Sequence, residues 1–169
     1  MPASMHEPGP DGAAFRSLGP GDLDAILDLF ASILEDPERK AFRPHGFGHA
    51  DAARIARYDG RDLYAGGFVG SRLVAYGMLR GWDEGFEIPS LGLYVRSDQR
   101  GRGTGRWMLE RLHAHAAGRG AHSVRLTVDR DNDRAIRLYE AIGYSFRALD
   151  PDRLVGVLPL GRPDPPCPR

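Results

Sequence analysis

The segment Arg100-Gly101-Arg102-Gly103-Thr104-Gly105 carries the residue types and spacing that most directly imply chemistry. It precedes Trp107, Met108, Leu109, Leu112 and Ala116, whose spacing predicts an amphipathic helix. A helix N-terminus presents unpaired N–H groups and a partial positive charge, and glycines let the backbone wrap an anion closely. The segment therefore reads as a phosphate or pyrophosphate cradle, with a plain glycine-rich connection as the competing reading. Two nucleotide motifs fail on residue identity. Counted from Gly101, the third glycine of a dinucleotide fingerprint would fall on Arg106, and no lysine ends the glycine run as a P-loop requires. Metal chemistry has little support. His113 and His115 lie two apart on a predicted helix, separated by about 200°, and His45 and His49 sit in a glycine-rich loop without an evident carboxylate partner. We expect no metal.

The elements that must position this turn follow from periodicity and breaks. Phe15 to Leu18 reads as a short strand, and Asp22 as the N-cap of a helix carrying Leu23, Ile26, Leu27, Phe30, Ile33 and Leu34. That helix should end near Asp36-Pro37, since proline disfavours helical geometry in the residue before it. After a loop containing Phe42, Arg43, Pro44 and His45, a second helix is predicted from about Asp51 to Tyr58. Leu63–Val69 and Leu73–Leu79 form a predicted hairpin around Gly70-Ser71, and Ile88–Val95 a buried strand before the glycines. Val124–Val128 is a strand, Asp131 or Asn132 caps a helix closed by Gly143, and Tyr144–Ala148 and Leu154–Leu160 are two final strands. The order predicts a mixed α/β (α+β) domain on one largely antiparallel sheet with about four helices.

Composition bounds the function. The chain has 169 residues with 23 basic and 23 acidic side chains, which argues against a strongly basic nucleic-acid binder. With 41% hydrophobic and 27% charged residues it suits one globular domain, expected over residues 13–160 between a loose segment 1–12 and a proline-rich tail 161–169. No apolar run is long enough for a membrane helix and no export signal is evident, so a cytoplasmic location is expected. Cys167 is the single cysteine, so no internal disulfide can form. A lysine-dependent mechanism would have to run through Lys40, the single lysine.

The glycine segment matches Gln/Arg-x-x-Gly-x-Gly/Ala at Arg100, Gly103 and Gly105, preceded by Leu93-Tyr94-Val95. A second block follows one strand later: Asn132, Ala135, Leu138-Tyr139-Glu140 and Gly143-Tyr144. In these two blocks the chain resembles the GNAT N-acetyltransferases, most strongly from about Leu91 to Phe146. The resemblance implies acetyl-CoA as cosubstrate, its pyrophosphate held by the backbone of Arg100, Gly101, Arg102, Gly103, Thr104, Gly105 and Arg106, with the Arg100 and Arg102 side chains as added contacts. It implies a bulged strand that splays from Val124–Val128 into a V for the pantetheine arm. A main-chain N–H near Leu93, Tyr94 or Val95 would polarise the thioester carbonyl, and Asn132 would contact the arm or cap its helix.

By the same resemblance Tyr139 is placed to protonate the departing thiolate, a fitting task for a phenol of ordinary pKa about 10. A core aromatic at helical spacing is the competing reading. The amine acceptor must lose a proton; Glu87 is the candidate base, with Glu84 and Asp83 in reserve, and a solvated acidic loop is the alternative. Trp82, Glu84, Arg43 and His45 are candidate acceptor contacts, and the acids would favour a cationic acceptor. The expected reaction is direct acetyl transfer in a ternary complex to the primary amine of a small molecule, such as an amino sugar or antibiotic-like amine. A protein N-terminal or lysine acetyltransferase and a non-catalytic acyl-CoA sensor are the alternatives. No nucleic-acid or membrane partner is expected; a homodimer is left open.

Overall fold

The computed structural model describes residues 7–39 and 42–161; Lys40 and Cys167 lie outside them, as does the proline-rich tail after residue 161. In chain order the main elements are β1 (Ala14–Ser17), α1 (Leu23–Glu35), α2 (His49–Ala56), β2 (Leu63–Val69), β3 (Arg72–Arg80) and β4 (Ser90–Val95). They are followed by α3 (Thr104–Gly118), β5 (Ser123–Asp129), α4 (Asp133–Ile142), β6 (Ser145–Ala148) and β7 (Arg153–Pro159). The seven strands form one sheet in the order β1-β2-β3-β4-β5-β7-β6. Every neighbouring pair is antiparallel except β4–β5. The predicted class and element order hold.

The apolar runs of β2 and β3 are continuous because both faces are covered. On one face Tyr64, Phe68, Leu73, Tyr76, Met78 and Tyr94 pack against Ile26, Leu29, Phe30 and Ile33 of α1 and Ala52, Ile55 and Ala56 of α2. On the other, Ala65, Leu79, Leu91, Val124, Leu126 and Val128 pack against Leu109, Leu112 and Ala116 of α3 and Tyr139 of α4. Side chains of β4 therefore divide by parity: Leu91, Leu93 and Val95 face α3 and α4, while Tyr94 faces α1.

The strand pair at the centre of the sheet is only half joined. Between β4 and β5 the sole register pair is Ser90↔Arg125, where the Arg125 N–H donates to Pro89 O at 3.0 Å. Beyond it β5 stays paired with β7 along its whole length, and β4 with β3, so the two strands part toward Val95 and Asp129. This is the splay expected of the central pair. The expected bulge in β4 is absent from its ladder with β3, whose register runs unbroken from Ala75↔Val95 to Arg80↔Ser90; the irregularity lies in β2, between Gly67 and Phe68.

Three local expectations are corrected. Asp22 does not cap α1 with its side chain; its carboxylate accepts the Gly19 N–H at 2.8 Å and both Arg16 donors at 2.7 Å. β4 begins at Ser90 and not at Ile88, so Glu87 stands three residues back in the preceding loop. Residues 7–12, expected to be loose, instead make a turn docked on α3: Gly9 lies against the Trp107 ring, and Arg111 donates to Glu7 O at 3.2 Å. By contrast, α4 starts as expected, with Asn132 Oδ1 accepting the Ala135 N–H at 3.3 Å, and ends on Gly143 at φ +117°.

Helix α3 lies close on β2 and β3 because glycines face it. A Cβ on Gly77 would stand 2.8 Å from Leu112 Cδ1 and 3.2 Å from Met108 Cε. Gly77→Val is expected to lower stability by about 1–3 kcal/mol through overpacking, seen as a lower urea midpoint at unchanged slope. An unshifted midpoint would contradict this packing.

Candidate active site

At the open end of the β4–β5 divide stands the first turn of α3. It follows Gly101 at φ +74° and Gly103 at φ +86°, left-handed conformations in which a side chain would be strained. A Cβ on Gly105 would lie 3.3 Å from Leu138 Cδ2 and 3.9 Å from Val95 Cγ2, so the helix start, the end of β4 and α4 converge there. The free N–H groups of this turn make the segment fit for an anion. Thr104 is buried, and its Oγ1 has no hydrogen-bond partner among the described residues.

Hydrogen bonding along β4 shows which groups face the gap. The Arg96 N–H donates to Val74 O of β3, whereas Pro89 O accepts from β5. Backbone direction alternates along a strand, so the N–H groups of Leu93 and Val95 turn toward β5 and that of Tyr94 toward β3. With no β5 partner there, the Leu93 and Val95 donors lie open to the V. Tyr94 contributes through its side chain instead.

The cradle arginines are already engaged. Arg100 donates through Nε to Val95 O at 3.1 Å and reaches Glu38 at 3.2 Å and Asp36 through its other nitrogens. Asp36, buried to 8% exposure, also accepts the Tyr94 hydroxyl at 2.8 Å and the Glu38 N–H at 2.9 Å. Arg102 pairs with Asp11 at 2.9 Å on the docked N-terminal turn, and Arg106 is exposed. Sequence reasoning missed this role of Asp36, noting only that the helix ends there. Its one signal was an aspartate before a proline with no other duty.

Tyr139 is buried on α4, 9% exposed, with its ring 5.4 Å from that of Tyr144 and 6.4 Å from that of Phe146. Burial pushes its phenol up to about 12. Its hydroxyl makes no hydrogen bond among the described residues, so the proton is held and uncommitted. The neighbouring Tyr144 hydroxyl is paired with His113 Nε2 at 2.7 Å, and burial lowers His113 to about 4, leaving that imidazole neutral.

On the α1–α2 side of the sheet, where β4 and β5 meet, lies a cleft of about 710 Å³. Glu84 and Glu87 line it with Pro44, Met78, Arg80 and Arg125. Other expected acceptor contacts stand elsewhere. Trp82 is buried in the α3-side core with Arg119 over its ring at 4.1 Å. Asp83 accepts the Tyr58 hydroxyl and the Arg61 N–H. Arg43 is exposed and is not among the cleft-lining residues. His45 sits beside Pro44 with Nδ1 2.5 Å from Gly46 O, which requires an Nδ1–H donor, so Nε2 accepts from Tyr76 at 2.9 Å. Burial lowers the His45 pKa. Neither His45 nor Tyr76 lines the cleft, and Arg80 and Arg125, which do, were not foreseen.

These features define a class. The sequence model of the Acetyltransferase (GNAT) family matches residues 24–144. The chain belongs to this family. It is 31% identical over 160 residues to the mycothiol acetyltransferase of Thermobispora bispora, covering 83% of this chain and 49% of that protein. The chain spans about half the length of the curated relatives it matches. Among solved structures, the GNAT domain of S. lividans PAT superposes with TM-score 0.77 at 18% identity, over 95% of this chain and 99% of that one. A phosphinothricin acetyltransferase from Sinorhizobium meliloti, in complex with acetyl-CoA, gives TM-score 0.72 at 17% identity, over 88% and 89%. At these identities the two structures speak for the fold.

The Asp36 arrangement carries a pH signature. Burial alone would raise its pKa, but Arg100, Tyr94 and the Glu38 N–H together outweigh it and hold the carboxyl below its ordinary value. A depressed folded-state pKa contributes stability above the unfolded value of about 4, lost as pH falls through the folded one. Asp36→Asn should therefore cost about 1–3 kcal/mol near neutral pH, with the deficit shrinking below about pH 4. A deficit independent of pH would contradict the charge-based role.

Proposed function

We propose that the protein is an acetyl-CoA-dependent N-acetyltransferase that acts on the primary amine of a small molecule by direct attack in a ternary complex. The observation that carries this reading is the β4–β5 divide, which opens onto the N-terminus of α3 where Leu138 of α4 also converges. The residues present fit the cosubstrate: the amides of residues 101–106 would hold the pyrophosphate, the Arg100 N–H being turned to Ser97 O, and Leu93 and Val95 would offer main-chain donors along the pantetheine arm. Acetyl-CoA, when bound, supplies an activated acetyl thioester. Of the two donors, the one nearer the thioester oxygen stabilises the charge that develops there. The amine nitrogen bonds to the acetyl carbon, the carbon–sulfur bond breaks, and Tyr139 gives its proton to the departing sulfur. The amine's proton leaves through Glu87 directly or through water.

Arg100 is a positioning residue in this reading, since its guanidinium is spent on Asp36, Glu38 and Val95 O. Asn132 acts as the cap of α4, which carries Tyr139. The cleft of about 710 Å³ is large enough for a small acceptor, and its Glu84 and Glu87 walls are open to solvent. The curated relatives, named for mycothiol, support the same class.

Calorimetric titration with acetyl-CoA tests the cradle. Micromolar binding is expected for the wild type and its loss in the Gly103→Val/Gly105→Val variant, because a side chain at φ +86° deforms the turn and one at residue 105 crowds Leu138. No binding by folded wild-type protein would overturn the reading. Tyr139→Phe is expected to keep acetyl-CoA affinity and to lower kcat about 100-fold, at the lower end of general-acid contributions. Unchanged turnover would remove Tyr139 from the chemistry.

A further inference from the structure

The register of the sheet places Arg80 opposite Ser90 across β3–β4, and Ser90 opposite Arg125 across β4–β5. Directly paired residues of adjacent strands point to the same face, so the three side chains form one lateral row. All three line the cleft. Two strand spacings of about 4.8 Å put the arginine Cα atoms about 10 Å apart, with a small hydroxyl between them. Long guanidinium arms can close that distance onto one bidentate anion.

Neither guanidinium is neutralised. Arg80 donates one N–H to Pro44 O at 2.7 Å, an uncharged partner that orients it and leaves other donors free. Among the described residues no carboxylate lies within ion-pair distance of Arg80 or Arg125, although Arg16, Arg72, Arg96, Arg100, Arg102 and Arg153 each pair with one. Glu84 and Glu87 line the same cleft without reaching them. The cleft therefore offers cationic and anionic contacts side by side.

We propose that Arg80, Ser90 and Arg125 form an anion-recognition row, and that the acceptor is an amine that also carries a carboxylate or phosphate. This rests on the cleft being the acceptor site of the proposed acetyltransferase. The row lies three residues before Leu93, about 10 Å along the strand. The anion and the amine of the acceptor are accordingly separated by several bonds, as in an extended amino acid, and not adjacent as in an α-amino acid.

The test compares three acceptors built on a six-carbon chain at saturating acetyl-CoA: 6-aminohexanoate, 6-aminohexyl phosphate and hexylamine. At least one anionic amine should exceed hexylamine in kcat/KM by about tenfold or more, the effect of a charge-assisted contact, and the better of the two identifies the anion. Arg125→Gln should collapse this ratio toward one, while Arg125→Lys should keep part of it. If acetyl-CoA binds but hexylamine is used as well as or better than both anionic amines, or none is used, the anion row is overturned and the cofactor reading stands. An unchanged ratio in Arg125→Gln overturns it as well. Absence of acetyl-CoA binding overturns the acetyltransferase reading and this proposal with it.

Discussion

A single register pair, Ser90 with Arg125, joins the two central strands, and the rest of the molecule depends on where that pairing stops. Past it, the odd-numbered backbone groups of β4 lose the partner that a continuous sheet would supply. Buried donors left in that state are costly. The protein meets part of the cost internally, since Val95 O accepts Arg100 Nε. The donors of Leu93 and Val95 stay open toward the gap, which is what a thioester-bearing chain would need.

The remaining architecture keeps that gap in place. β5 is held fully by β7, and β4 by β3, so neither strand can drift across. Asp36 links the end of α1, the Tyr94 side chain and Arg100, tying three segments around the cradle through one buried carboxylate. On the opposite face, Gly67 and Gly77 admit α3 close to the sheet, which fixes where its N-terminus points. In the proposed reading the sheet's two faces divide the work: cofactor chemistry toward α3 and α4, acceptor recognition toward α1 and α2.

Most of the fold was legible because its signals are local. Glycine pairs, proline breaks and two-residue alternation mark every main element, and the cradle stands out as three glycines before an apolar helix. What escaped was set by tertiary contact. Nothing in the local pattern says that Trp82 turns into the α3-side core under Arg119, or that Asp83 is consumed by Tyr58. Asp22 looks like a helix cap until Arg16, brought beside it by the turn after β1, takes both carboxylate oxygens. The row of Arg80, Ser90 and Arg125 spans three strands and 46 residues of chain, so only the register reveals it.

The most direct test of the central claim is amide hydrogen exchange with and without acetyl-CoA. The account predicts slowed exchange at residues 101–106 and at Leu93 and Val95, with the Tyr94 amide, already directed at β3, little changed. Protection confined to other segments, or no change at the open edge of β4, would contradict it.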